Sequence, residues 1–67
     1  MEKICAMLAE ARTDKGITAE EASKLLGISK KTLSLYENNH RNIPLNIFYK
    51  MCILYDVSAD YILFGKK

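Results

Sequence analysis

The chain has 67 residues, with ten Lys or Arg against eight Asp or Glu, a net charge of +2, two cysteines and one histidine. That length holds one domain, and a chain so short buries only about 60% of its unfolded surface, so its core must be compact. Weak basicity permits a nucleic-acid partner without demanding one, and no run approaches the ~20 apolar residues of a membrane span.

Cys5 and Cys52 are far apart, in no C-x-x-C pair, and both sit in apolar helical patterns. They read as buried reduced thiols, which fits a cytoplasmic protein. Two cysteines cannot build a zinc site alone, and His40 has no second histidine for a metal or catalytic pair, so no metal or cofactor is expected. With no His/carboxylate cluster and no Gly-rich phosphate loop, an enzyme is not expected either. Glu2 and Glu10 interrupt the N-terminus, which does not read as a signal peptide. No small-molecule effector and no sensory segment is evident.

The first helix is predicted from about Lys3 to Asp14. Ile4, Leu8 and Ala11 share one face at i, i+4, i+7, and Arg12 adjoins it. Gly16 ends the helix and Ile17 packs down after it. The second helix, about 19–26, opens at Thr18, which has capping-box spacing to Glu21. Ala19, Ala22, Ser23 and Leu26 form its inner stripe, and Leu25 falls outside. Glu20 and Glu21 favour the helix dipole but not a nearby phosphate.

Gly27 turns the chain cheaply through positive φ, and Ile28 pins the turn. Ser29 caps a third helix, about 30–37, with Leu33 and Tyr36 inward. Helix, Gly-containing turn, helix is the DNA-binding helix-turn-helix pattern. Lys30, Lys31, Ser34 and Leu35 face outward. Two lysines at a helix N-terminus oppose the dipole, which suggests a polyanion as their purpose. Residues 38–42 form a polar loop, where His40 and Arg41 extend the basic surface towards phosphate.

Pro44 suits the first turn of a fourth helix running to about Tyr55. Leu45, Phe48, Met51, Cys52 and Tyr55 are assigned to the core. Ile47, Ile53 and Leu54 are apolar surplus, and with Phe64 they are expected to form a dimer surface. Ser58 caps a fifth helix, Ala59 to about Phe64, with Tyr61 and Ile62 inward. Gly65, Lys66 and Lys67 make a polar end. No stretch reads as a strand, so the fold is expected to be all-α.

The stretches DKGIT at 14–18, EEASKLLGIS at 20–29, TLSLYENNHR at 32–41, IPLNIFYKM at 43–51 and YDVSADYIL at 55–63 resemble the phage-repressor/Cro-like, Xre-type helix-turn-helix family. The resemblance spans essentially the whole chain. It implies a five-helix, lambda-repressor-like bundle and a transcriptional regulator binding double-stranded DNA sequence-specifically, usually as a homodimer on a palindromic operator. Base reading then falls on Lys30, Lys31, Ser34 and Leu35, with Ser29 and Thr32 beside the backbone. Thr18 and the N–H groups near Asn38 would meet phosphates. Arg12 and Glu37 match a pair that forms a salt bridge in similar proteins. Three positions depart from the family pattern: Ala19 where Gln is frequent, Leu35 where a long polar residue is common, and Asn39 for the usual loop Gly. The alternative is a protein-interaction module of the same fold, antitoxin- or antirepressor-like, with DNA contact weak or secondary.

Overall fold

Short-range signals start and stop each helix before tertiary packing acts. The computed structural model describes residues 2–65, which form five helices and no strand. They are α1 (Glu2–Asp14), α2 (Ala19–Leu26), α3 (Lys30–Glu37), α4 (Leu45–Leu54) and α5 (Ala59–Phe64). Lys66 and Lys67 lie outside the described residues. Thr18, Ser29 and Ser58 cap α2, α3 and α5, each accepting the backbone N–H three residues on. Such a cap contributes about 1 kcal/mol. Pro44 takes the N-cap place of α4, one residue before the first turn expected for it, and makes no side-chain cap.

The helix ends share one device. Gly16, Gly27, Asn39 and Asp56 follow α1 to α4 with φ of 77°, 75°, 59° and 56°. After α2, the Gly27 N–H donates to the Lys24 carbonyl at 3.3 Å and the Ile28 N–H to Ser23 at 3.0 Å, the paired bonds of a Schellman motif. The same pair recurs at Asn39 and His40 after α3, to the Tyr36 and Leu35 carbonyls. A Cβ on Gly27 would meet nothing within 4 Å, so glycine is favoured there by backbone conformation rather than by crowding. The residue after the left-handed one is apolar and packed on the core at Ile17, Ile28 and Val57, but it is the exposed His40 after α3.

α3 packs on α1 and α2, α1 on α5, and α2 on α4. Leu8, Leu26, Leu33, Phe48, Met51, Cys52, Tyr55 and Ile62 meet in the centre. Both cysteines are free and buried, and burial pushes the Cys52 thiol pKa up. Two assignments on α4 exchange places. Leu45 is 66% exposed rather than core, while Ile47, expected on a dimer surface, is buried. The buried arc of α4 centres between Met51 and Tyr55, and Leu45 lies about a quarter turn away, in the first turn where no neighbour covers it. Leu54 is half-buried against the core instead of free for a partner. Tyr61, expected inward, is 38% exposed, because Ile62 already fills the inward place of a six-residue helix.

Candidate nucleic-acid interface

The second helix of the turn motif is held from below and from both ends. Leu33 and Tyr36 anchor its inner face at 0% and 6% exposure. Lys30, Lys31 and Ser34 lie on the exposed side, and Leu35 is half-buried. No acidic residue stands in the first turn of α3.

At the C-terminal end of α3, Arg12 reaches across from α1. Its Nε donates to Glu37 Oε2 at 2.8 Å and its Nη2 to Glu37 Oε1 at 3.3 Å. Its Nη1 donates to the Ile17 carbonyl at 2.8 Å. One guanidinium therefore joins α1, the α1–α2 link and the end of α3. Both side chains are mostly covered, at 17% and 13% exposure, and the Glu37 hydrogen bond raises the arginine pKa above its already high value. Glu37 is spent inside the protein.

At the N-terminal end, Ser29 Oγ accepts the Thr32 N–H at 3.0 Å and donates its own proton to Thr32 Oγ1 at 2.8 Å. The Asn38 side chain folds back over the last turn: Nδ2 donates to the Ser34 carbonyl at 2.8 Å and to Ser34 Oγ at 3.2 Å. A carbonyl only accepts, so the nearer amide atom must be the nitrogen.

The residues expected near phosphates differ in which bonds they already make. His40 and Arg41 are exposed beyond α3. Thr18 closes the capping box completely. Its hydroxyl donates to Glu21 Oε1 at 2.9 Å and accepts the Glu21 N–H at 3.1 Å, while its own N–H donates to Glu21 at 3.2 Å. These bonds hold the Glu21 carboxyl below its usual pKa, the one from the Thr18 backbone most of all. Thr18 thus has no donor left for a phosphate. The N–H groups near Asn38 are likewise committed: Asn38 to Ser34 at 3.0 Å, Asn39 to Tyr36 at 3.2 Å and His40 to Leu35 at 2.9 Å. Asn39 adopts the left-handed conformation that glycine would, so that departure from the family pattern costs the backbone little.

The Asn38–Ser34 clamp is signalled in the sequence only by its i, i+4 spacing. No residue pattern announces the Ile17 carbonyl as an acceptor for Arg12. Among the described residues no three His, Cys, Asp or Glu gather to hold a metal, and no helix is long and apolar enough to cross a membrane.

A family profile described as Helix-turn-helix matches residues 8–62, from α1 to α5. The chain is 41% identical over 56 residues to the HTH-type transcriptional regulator ImmR of Bacillus subtilis (strain 168), a match covering 84% of this chain and 44% of the relative. It is 36% identical over 59 residues to the uncharacterized HTH-type transcriptional regulator YobD of the same organism, covering 88% and 53%. The chain spans about half the length of these relatives.

Proposed function

The chain belongs to the helix-turn-helix family, and from that premise we propose that it is a cytoplasmic transcriptional repressor reading the major groove of double-stranded DNA with α3. The observation that carries the reading is the placement of Lys30 and Lys31. They stand exposed at the free tip of a helix whose opposite face is locked in the core by Leu33 and Tyr36. Lysine donates to guanine O6 and N7 or to phosphate, and neutralised phosphates make affinity fall steeply with salt. The names of the two B. subtilis relatives support the regulatory role. The test is duplex binding across a salt series, with Lys30→Ala/Lys31→Ala beside the unsubstituted chain. The double variant should bind more weakly with a log–log salt slope shallower by up to about 2, while its Tm stays put. A drop in Tm with the slope unchanged would assign the lysines to the scaffold instead.

A homodimer on a palindromic operator completes the reading. One such domain meets few base pairs, and two-fold pairing doubles them. Leu45, Tyr49 and Ile53 stand 66%, 53% and 80% exposed at i, i+4, i+8 along α4, and Phe64 adds 70% exposure on α5. Together they expose on the order of 500 Å², approaching the ~800 Å² per partner of a standard interface. A straight apolar ridge is self-complementary when it meets its own copy antiparallel. Half-sites about 34 Å apart, one DNA turn, are the spacing such a dimer would read.

Commitment of the Thr18 donors and the Asn38–His40 N–H groups favours a second reading, a protein-interaction module with secondary DNA contact. Passage through heparin at low salt without retention, despite Lys30, Lys31, His40 and Arg41, would decide for it.

A further inference from the structure

We propose that two copies of this chain join ring into cleft: Phe64 of each copy seats between α4 and α5 of the other. The inference rests on the homodimer reading above and names the contact that holds the pair together.

The cleft has a volume of about 460 Å³. Tyr49, Cys52 and Ile53 of α4 line it, with Asp56 and Val57 of the following link and Ala59 of α5. Asp56 is its one charged wall, and that carboxylate already has Lys15 Nζ at 3.6 Å. The Tyr49 ring leans on the buried Phe48 ring, with centroids 6.1 Å apart and 55° between the planes, so this wall is set before a partner arrives. Ala59 is the smallest lining side chain and leaves the α5 side open. Apolar walls without an unpaired charge take an uncharged side chain, because a buried polar group without a partner is costly.

The chain's own surface supplies one. Among the large apolar residues exposed in the described structure, Tyr49 and Ile53 are themselves walls of the cleft, and Tyr61 lines a separate hollow against α1. Leu25 stands on α2 in the turn motif, and Leu45 begins α4, two turns before Ile53. Leu63 is at i+4 from Ala59 and extends the α5 wall. Phe64 is left, 70% exposed and without a polar atom. The helix closes directly behind it, where the Gly65 N–H donates to the Tyr61 carbonyl at 2.8 Å, so the position of the ring is fixed by a helix end.

Area favours the same occupant. With Leu63 at 46% exposure, the α4–α5 face offers on the order of 600 Å² of apolar surface, still short of the ~800 Å² per partner of a standard interface. A ring seated in the cleft also covers the half-buried Val57 and Ala59, which a flat contact between ridges would leave wet. A two-fold axis makes both contacts at once, since each copy gives one ring and receives one. Aromatic anchors in desolvated pockets carry most of the energy of such interfaces.

Sedimentation of two complementary variants tests this, with thermal unfolding to show that each is folded. Phe64→Ala keeps the cleft and loses the ring, while Ala59→Phe keeps the ring and fills the cleft. Each alone should self-associate at least about 100-fold more weakly than the unsubstituted chain, because a dimer then loses two seated rings, each worth on the order of tenfold or more. Mixed one to one, they should form a heterodimer at least about tenfold tighter than either homodimer, since only the mixture holds an intact ring and cleft. If Ala59→Phe does not fold, Ala59→Leu takes its place in the same mixture. A mixture that associates no better than its components overturns the seating. So does a Phe64→Ala chain that dimerises like the unsubstituted one while Ile53→Lys does not, a result that leaves the homodimer reading standing. An unsubstituted chain that stays monomeric at every concentration overturns the homodimer reading itself.

Discussion

Arg12→Ala should be the most damaging single truncation near the interface, and its size follows from what the guanidinium holds. It donates three hydrogen bonds at 2.8–3.3 Å, two to the Glu37 carboxylate and one to the Ile17 carbonyl. Exposed ion pairs contribute ~0.2–1 kcal/mol, while removing one partner of a fully buried pair costs ~3–5 kcal/mol. Exposures of 17% and 13% put this pair between those limits. A loss of about 2–3 kcal/mol follows for Arg12→Ala, which for a domain this size lowers Tm by roughly 10–20 °C. Glu37→Gln keeps one acceptor for Nε and leaves the Ile17 bond intact, so it should cost about 1 kcal/mol less. Urea denaturation of the unsubstituted chain, both single variants and the double variant gives the coupling energy directly. Coupling of about 1–2 kcal/mol is expected. A Tm shift below about 4 °C for Arg12→Ala, or coupling within about 0.5 kcal/mol of zero, would refute the view that this pair pins α3.

Thr18→Ala removes the α2 cap and should lower Tm by roughly 4–8 °C. The Glu21 carboxyl has its pKa lowered in the fold, so its contribution is present above the ordinary carboxylate value and lost as pH falls below it. The variant's stability should therefore fall less steeply in acid, and parallel acid limbs in denaturation would sever Thr18 from Glu21. The Tyr55 hydroxyl is buried without a partner among the described residues, and burial, then the Glu37 carboxylate, pushes its pKa up to about 12 from 10.0. Its neutral form is favoured by folding, so that stability is full below pH 10.0 and drains away as pH rises to about 12. Tyr55→Phe should hold or gain about 1 kcal/mol at neutral pH and shed less stability at alkaline pH, whereas matching alkaline limbs would place the phenol in water. Ile53→Lys puts a charge at the most exposed position of the α4 ridge, and sedimentation should show a monomer where the unsubstituted chain dimerises. A dimer surviving the substitution, or a monomer without it at micromolar concentration, would remove α4 from the interface.

Helix boundaries were legible because each rests on one or two residues acting locally. Thr18, Ser29 and Ser58 cap where a side-chain oxygen can reach an N–H three residues on. Gly16 and Gly27 stop helices because left-handed backbone is cheap for glycine. The face of α4 was less legible, since nine of the twelve residues in 44–55 are apolar or tyrosine and periodicity has almost no polar contrast to work on. Ile47 and Leu45 were exchanged for that reason. Their burial depends on which neighbour covers the first turn, a long-range matter. The interface shows the same division. The outward lysines follow from helical spacing alone, while the loss of Thr18 and the Asn38–His40 N–H groups as donors appears only once each hydrogen bond is traced to its acceptor.

The same hydrogen bonds hold α3 on every side but one. Its inner face is buried, its first turn is tied by Ser29, its last turn by Asn38, and its terminal carboxylate by Arg12 from another helix. The outward side keeps Lys30, Lys31 and the Ser34 hydroxyl exposed. Bonds that hold the helix in place before a partner arrives reduce the ordering cost of binding. Freeing Asn38 or Ser29 should loosen the ends of α3, so variants at these two positions should bind any partner of that face more weakly.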